Sequence, residues 1–180
     1  MTEIRTWLDF SLQQVAAESY LDKFLSGALE LDKVLQLGNN NQPNILLNTA
    51  VLPGKTRMTD QQVAQFIQRY QIADHHANDA TGFSATLMFD TQTNSYTLSF
   101  RSTESAPATE GGDRERDLLG ADAEIGFSGF AFGQLAAMEH YYQSLKTDGT
   151  LPAGAVLNVT GFSLGGHLAT VFTELHADDV

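Results

Sequence analysis

The residues best suited to chemistry lie near the end of the chain, in Gly161-Phe162-Ser163-Leu164-Gly165. A serine flanked by glycines two residues away on each side has the pattern of a nucleophile elbow. In such a turn the serine stands between a strand and a helix on a strained backbone. The flanking positions must lack side chains because strand and helix approach closely there. A hydroxyl held so is exposed at a helix N-terminus, where free N–H groups and the helix dipole favour developing negative charge. The chemistry implied is attack of Ser163 on an acyl carbonyl. The plain alternative is a glycine-rich turn whose serine caps the following helix.

The surrounding residues supply the elements such a turn needs. Val156–Thr160 is short, rich in β-branched residues and entered from Pro152 and Gly154, so it reads as a strand. From Leu164 onward, Leu168, Val171, Phe172 and Leu175 fall on one helical stripe. Upstream, Phe83, Ala85, Leu87 and Phe89 alternate with polar or smaller residues, Thr91–Asn94 turns, and Tyr96, Leu98 and Phe100 alternate again, predicting a hairpin. Phe127–Lys146 reads as a helix with Leu135, Met138, Tyr142 and Leu145 inward, closed by Asp148-Gly149. Towards the N-terminus, residues 6–35 read as helix, with Leu8, Leu12, Val15 and Ala16 and then Leu21, Phe24, Leu25 and Leu29 on its stripe. Gly38–Pro43 breaks the chain, and the apolar run Asn44–Leu52 fits either class. Thr59–Tyr70 is the clearest helix, with Thr59 and Gln62 as a capping box and Val63, Phe66, Ile67 and Tyr70 recurring at helical spacing. Asp74–Asp79 reads as a solvated loop, because adjacent histidines diverge and no second pair at ligand spacing accompanies them. The 180 residues thus read as one α/β domain, a helical part over 1–73 followed by a core over 74–180.

Thr160-Gly-Phe-Ser-Leu-Gly-Gly-His-Leu-Ala169 resembles the elbow of the class 3 lipases of the α/β-hydrolase fold, closest to the bacterial branch of type I-secreted lipases. Two further pieces agree in order. Gly82–Phe89 with Tyr96–Glu104 is similar to that branch's hairpin ending in Arg-Gly-Thr-Glu, and Asp117-Leu118 with Asp122 is followed by Gly129-x-Ala131-x-x-Gln134 opening a helix. The resemblance covers roughly residues 74–176. It implies a partial α/β-hydrolase fold, a mainly parallel sheet with flanking helices, truncated after the elbow helix. It implies Ser163 as nucleophile, Gly161 and Gly165 as elbow glycines, and an oxyanion hole from the backbone N–H groups of Leu164 and Thr103. Ser102 stands where the family has glycine. The reaction implied is hydrolysis of carboxylic esters of the lipid type through an acyl-enzyme.

A serine needs a base and an orienting acid, and in α/β-hydrolases both follow the nucleophile, acid first. Only 17 residues follow Ser163 here, so neither has a position to land on. His167 lies on the elbow helix pointing away from the hydroxyl, and His140 and His176 lie on other helical positions. Two readings follow: an N-terminal part of a lipase or esterase, inactive alone, or a non-catalytic hydrolase-like module that self-associates or binds another protein. Glu104–Glu124 carries seven acids against two arginines without a recognisable ligand loop, so no metal or cofactor is expected, and calcium enters only through the resembling parent proteins. The net charge of −12 excludes nucleic acid as a partner and leaves transient contact with a lipid interface open. There is no cysteine, hence no disulfide or thiolate chemistry. No signal peptide opens the chain and no apolar run would span a bilayer. The resembling lipases are secreted by a C-terminal signal, which makes a secreted location the expectation and a cytoplasmic one the alternative. With no later strand beside it, Val156–Thr160 should be a sheet edge that joins two or more copies.

Overall fold

The computed structural model describes residues 3–38, 57–102 and 132–180. Its contacts divide the chain into two compact units, Met1–Tyr70 and Gln71–Val180. The described residues form a mixed α/β structure with six helices and a four-stranded sheet.

The first unit is helical. Its elements are α1 (Glu3–Ala17), α2 (Asp22–Leu25), α3 (Leu31–Leu37) and α4 (Asp60–Arg69). The single helix expected over 6–35 is therefore three. Gly27 at φ 73° and Glu30 in an extended conformation at ψ 151° break the helical path before α3. The inward stripe holds in part: Ala16 and Leu21 are buried as read and Ala17 joins them, whereas Leu8 and Leu25 are exposed. The capping box is present as read: the Gln62 backbone N–H donates to the Thr59 hydroxyl and the Thr59 N–H to the Gln62 side chain. Val63 and Phe66 bury one face of α4, while Ile67 stays exposed. Tyr70 leaves the helix at φ −109° and ψ 144° instead of completing its stripe. Gln36 donates to Asp60 at 2.9 Å, and Arg69 pairs with Asp9 at 2.6 Å, clamping α3 and α1 to the ends of α4.

The second unit is built on the sheet, in the order β1 (Tyr70–His76), β2 (Ala85–Asp90), β3 (Ser95–Phe100) and β4 (Leu157–Gly161). β1 begins on the last residue of the first unit. A four-residue connection can only reverse the chain, so β2 and β3 pair antiparallel, from Ala85 opposite Phe100 to Asp90 opposite Ser95. Asn94 takes φ 52° at this turn, a conformation asparagine tolerates. β4 returns parallel to β3, with Tyr96 opposite Leu157 and Phe100 opposite Gly161. The described sheet is thus mixed where a mainly parallel one is expected, because the hairpin contributes an antiparallel pair.

Two helices follow the sequence reading closely, α5 (Phe132–Thr147) and α6 (Leu164–Leu175). Met138, Tyr141, Tyr142 and Leu145 of α5 pack with Leu168 and Phe172 of α6, with Phe83 before β2, and with Ala85, Leu87, Leu98 and Phe100 of the sheet in one core. Tyr142 meets Phe172 edge-on at 4.8 Å between centroids, a favoured aromatic geometry. Gly149 at φ 81° ends the segment after α5. The strand faces turned away from this core carry Thr86, Met88, Thr97 and Ser99, also buried. Burial on both faces explains why the β2 alternation contrasts apolar with small or polar residues rather than inside with outside.

The solvated loop expected over 74–79 is a correction: Asp74, His75 and His76 end strand β1. Tyr70 and Ile72 alternating with Gln71 and Ala73 carry a strand period that continues into these residues. The expected break at 39–43, the apolar run 44–52, the acidic stretch 104–124 and the first residues of the 127–146 helix lie outside the described residues.

Candidate active site

Ser163 sits between β4 and α6 at φ 54° and ψ −122°. For a residue with a β-carbon this backbone conformation is sparsely populated and costs on the order of 1–3 kcal/mol. The hydroxyl does not offset that cost by capping the helix, since Ser163 makes no side-chain cap hydrogen bond, and the residue is exposed. Its carbonyl instead accepts from Gly166 N–H at 2.9 Å and His167 N–H at 3.3 Å, which starts α6.

The flanking glycines are required by space. A β-carbon on Gly161 would collide with the Gly165 carbonyl oxygen and stand 2.7 Å from the Gly166 nitrogen. One on Gly165 would collide with the Phe100 carbonyl oxygen and stand 2.7 Å from the Arg101 oxygen. Gly166 is different, with its nearest contact at 3.4 Å. So the first turn of α6 lies directly against the C-terminal end of β3, and no side chain fits between them.

Several bonds hold β4 in place behind the turn. Tyr96 N–H donates to the Val156 carbonyl at 2.8 Å, the Asn158 amide to the Tyr96 carbonyl at 3.1 Å, and the Ser99 and Thr160 hydroxyls meet at 2.7 Å. Arg101 N–H donates to the Ser84 carbonyl at 3.0 Å, tying the end of β3 to the start of β2. The chain thus places the end of β3 beside the nucleophile-like serine. Of the expected oxyanion donors, Leu164 opens α6, where a first-turn N–H has no acceptor within its helix. Thr103 lies outside the described residues.

No described group hydrogen-bonds the Ser163 hydroxyl, and His75, His76 and His176 are committed elsewhere. His167 has its Nε2 buried one turn into α6. His176 caps the far end of α6, about 20 Å away at 1.5 Å rise per residue, where Nε2 meets Glu139 at 2.8 Å. His75 bonds Thr86 at 2.9 Å, and burial, the Arg101 cation and His76 lower its pKa to about 4. His76 ends β1, three strand spacings or about 14 Å from β4, and its Nε2 meets Asp79 at 3.2 Å. A general base must come within about 3 Å of the proton it removes.

Apart from Ser163, a concavity lies over β1 and α5, a cleft of about 520 Å³ lined by His76, Asp79, Thr81, Ala137, His140 and Tyr141. Burial works against ionisation of Asp79, yet hydrogen bonds from Thr81, His76 and Phe83 hold its pKa below the usual range. Asp79 Oδ1 accepts from Thr81 N–H at 2.7 Å and Phe83 N–H at 3.3 Å, so the carboxylate organises its own loop. Tyr141 donates to Asp74 at 2.8 Å, and burial with that carboxylate raises its phenol pKa. Sequence reasoning missed this cleft because it treated 74–79 as a loop. Among the described residues no three His, Cys, Asp or Glu side chains are grouped to hold a metal ion, and no described helix is long and apolar enough to cross a membrane.

Comparison of the chain with family models, with curated proteins and with solved structures gives no match.

Proposed function

We propose that Ser163 is the nucleophile of a serine hydrolase that acts on carboxylic esters of the lipid type, on a core of α/β-hydrolase design. The observation that carries this reading is the Ser163 backbone at φ 54° and ψ −122° between two glycines that have no room for a β-carbon. A chain retains strain of this kind where the conformation has a use, and here it presents a hydroxyl on the open side of a strand-to-helix turn. In the reaction, Ser163 Oγ attacks the acyl carbonyl as a base takes its proton. The tetrahedral oxyanion is held by the Leu164 N–H and, by the resemblance to class 3 lipases, by the Thr103 N–H. Collapse expels the alcohol, which takes up the proton, and water then releases the acid from the acyl-serine.

No described histidine or carboxylate hydrogen-bonds the Ser163 hydroxyl. That observation favours a second reading, a hydrolase-like module whose turn is kept for its architecture. Incubation with a short-chain p-nitrophenyl ester separates the two. The hydrolase reading expects nitrophenol release with an acyl adduct on Ser163 by intact mass, both lost in Ser163→Ala. Equal release by the wild type and Ser163→Ala, with no adduct, would leave the architectural reading. Secretion, as in the resembling lipases, belongs to the same proposal.

A further inference from the structure

The side of β4 away from β3 carries a pattern that fits a second copy of itself. Tyr96 N–H reaches the Val156 carbonyl, and Tyr96 stands opposite Leu157. In a parallel ladder alternate residues face the neighbouring strand, so Val156, Asn158 and Thr160 serve β3. The N–H and C=O groups of Leu157, Val159 and Gly161 therefore point the other way, and no described strand pairs with that side. Edge strands are ordinarily shielded by a charge, a proline or a bulge. β4 reads Leu-Asn-Val-Thr-Gly and has neither charge nor proline. Val156 and Phe162, which flank it, are 63% and 65% exposed.

We infer that two copies of this chain join through β4 in an antiparallel pair centred on Val159. Any centre on a residue sets outward groups against outward groups, but a centre on Asn158 sets Gly161 against Ala155, and one on Thr160 sets Leu157 against Ser163. A centre on Val159 uses all three: Val159 meets Val159, and Leu157 meets Gly161 twice. A centre on Gly161 would run Leu157 into α6, and one on Leu157 would leave Phe162 opposite Pro152. With Val159 at the centre, exposed Phe162 of one copy lies opposite exposed Val156 of the other, and Asn158 lies opposite Thr160. The same edge serves both copies, as a two-fold interface requires. The two sheets become one of eight strands. Carried two residues further, the register sets the Pro152–Ala155 turn of one copy beside Ser163 of the other, so each copy rims the other's elbow. The pairing rests on strand geometry alone and stands or falls independently of the chemistry at Ser163.

The test is sedimentation equilibrium of the 180-residue chain, alongside Val159→Pro and Phe162→Asp. The Val159 N–H faces away from β3, so proline there removes the central rung between copies and none of the ladder within one. Phe162 is exposed, so its replacement leaves the core of each copy intact. The inference expects twice the chain mass for the wild type. It expects dissociation constants raised at least about tenfold in both variants, with unchanged circular dichroism. Should Val159→Pro lose its fold, Phe162→Asp alone decides. A monomeric wild type, a dimer that persists in folded Phe162→Asp, or a stoichiometric complex with some other polypeptide would each overturn it.

Discussion

The backbone at Ser163 makes an unusual stability prediction. At most positions glycine is less stabilising than alanine, by about 0.5–1 kcal/mol, because it loses more conformational freedom on folding. At φ 54° and ψ −122° the order should invert. Alanine keeps the strain of about 1–3 kcal/mol, and glycine relieves it. Subtracting glycine's entropic cost leaves Ser163→Gly more stable than Ser163→Ala by about 1 kcal/mol. Both lack the hydroxyl, so the comparison isolates the backbone. For a chain of this size each kcal/mol moves the melting temperature by about 2–4 °C. The assay is thermal unfolding of both variants followed by circular dichroism. An internal control is Thr170, exposed on α6, where alanine should beat glycine by about 1 kcal/mol. Alanine at 163 matching or exceeding glycine, with Thr170 behaving normally, would show that Ser163 is unstrained and would remove the physical basis for an elbow.

The remaining predictions concern the turn's neighbours and the buried polar groups. Gly165→Ala drives a β-carbon into the Phe100 and Arg101 carbonyls and should cost about 3 kcal/mol. Gly166→Ala should be neutral or stabilise by up to about 1 kcal/mol, and urea unfolding of the pair reads the contrast. His75 is neutral in the folded chain, with its pKa lowered to about 4 against 6.5 when unfolded. A lowered folded pKa means this contribution is fully present above pH 6.5 and is lost as pH falls towards 4. Relative to neutral pH the loss should reach about 2 kcal/mol at pH 5, and His75→Gln should flatten the urea-midpoint profile over that window. Tyr141→Phe removes the donor to Asp74 and should cost about 1–2 kcal/mol in the same assay.

The parts of the fold legible in the sequence are those whose signals are local. The Thr59–Gln62 capping box, the hairpin turned at Thr91–Asn94 and the glycine spacing around Ser163 each depend on residues within a few positions of one another. The helix expected over 6–35 was less legible because its apolar residues keep a helical period across breaks made by Gly27 and Glu30, which a stripe of leucines conceals. Strand β1 was obscured for the opposite reason. Its last residues are Asp, His and His, polar types that suggest solvent, yet Tyr141 satisfies Asp74 and Thr86 satisfies His75 from distant parts of the chain, and Asp79 meets His76 from the following loop. In β2 and β3 both faces are buried, so the alternation that reveals them contrasts apolar with small or polar residues rather than inside with outside. The clash of a Gly165 β-carbon with Phe100 at the end of β3 is a contact 65 residues apart in sequence, and no local pattern shows it.

The central claim is that Ser163 is a nucleophile. A fluorophosphonate probe tests it most directly, because it reports an activated serine whatever acyl group the protein prefers. The folded 180-residue chain is treated with the probe and read by intact mass and peptide mapping, beside Ser163→Ala. A single phosphonyl adduct on Ser163, absent from the alanine variant, is the predicted result. Folded protein that takes up no probe, or that carries it equally in Ser163→Ala, would contradict the claim.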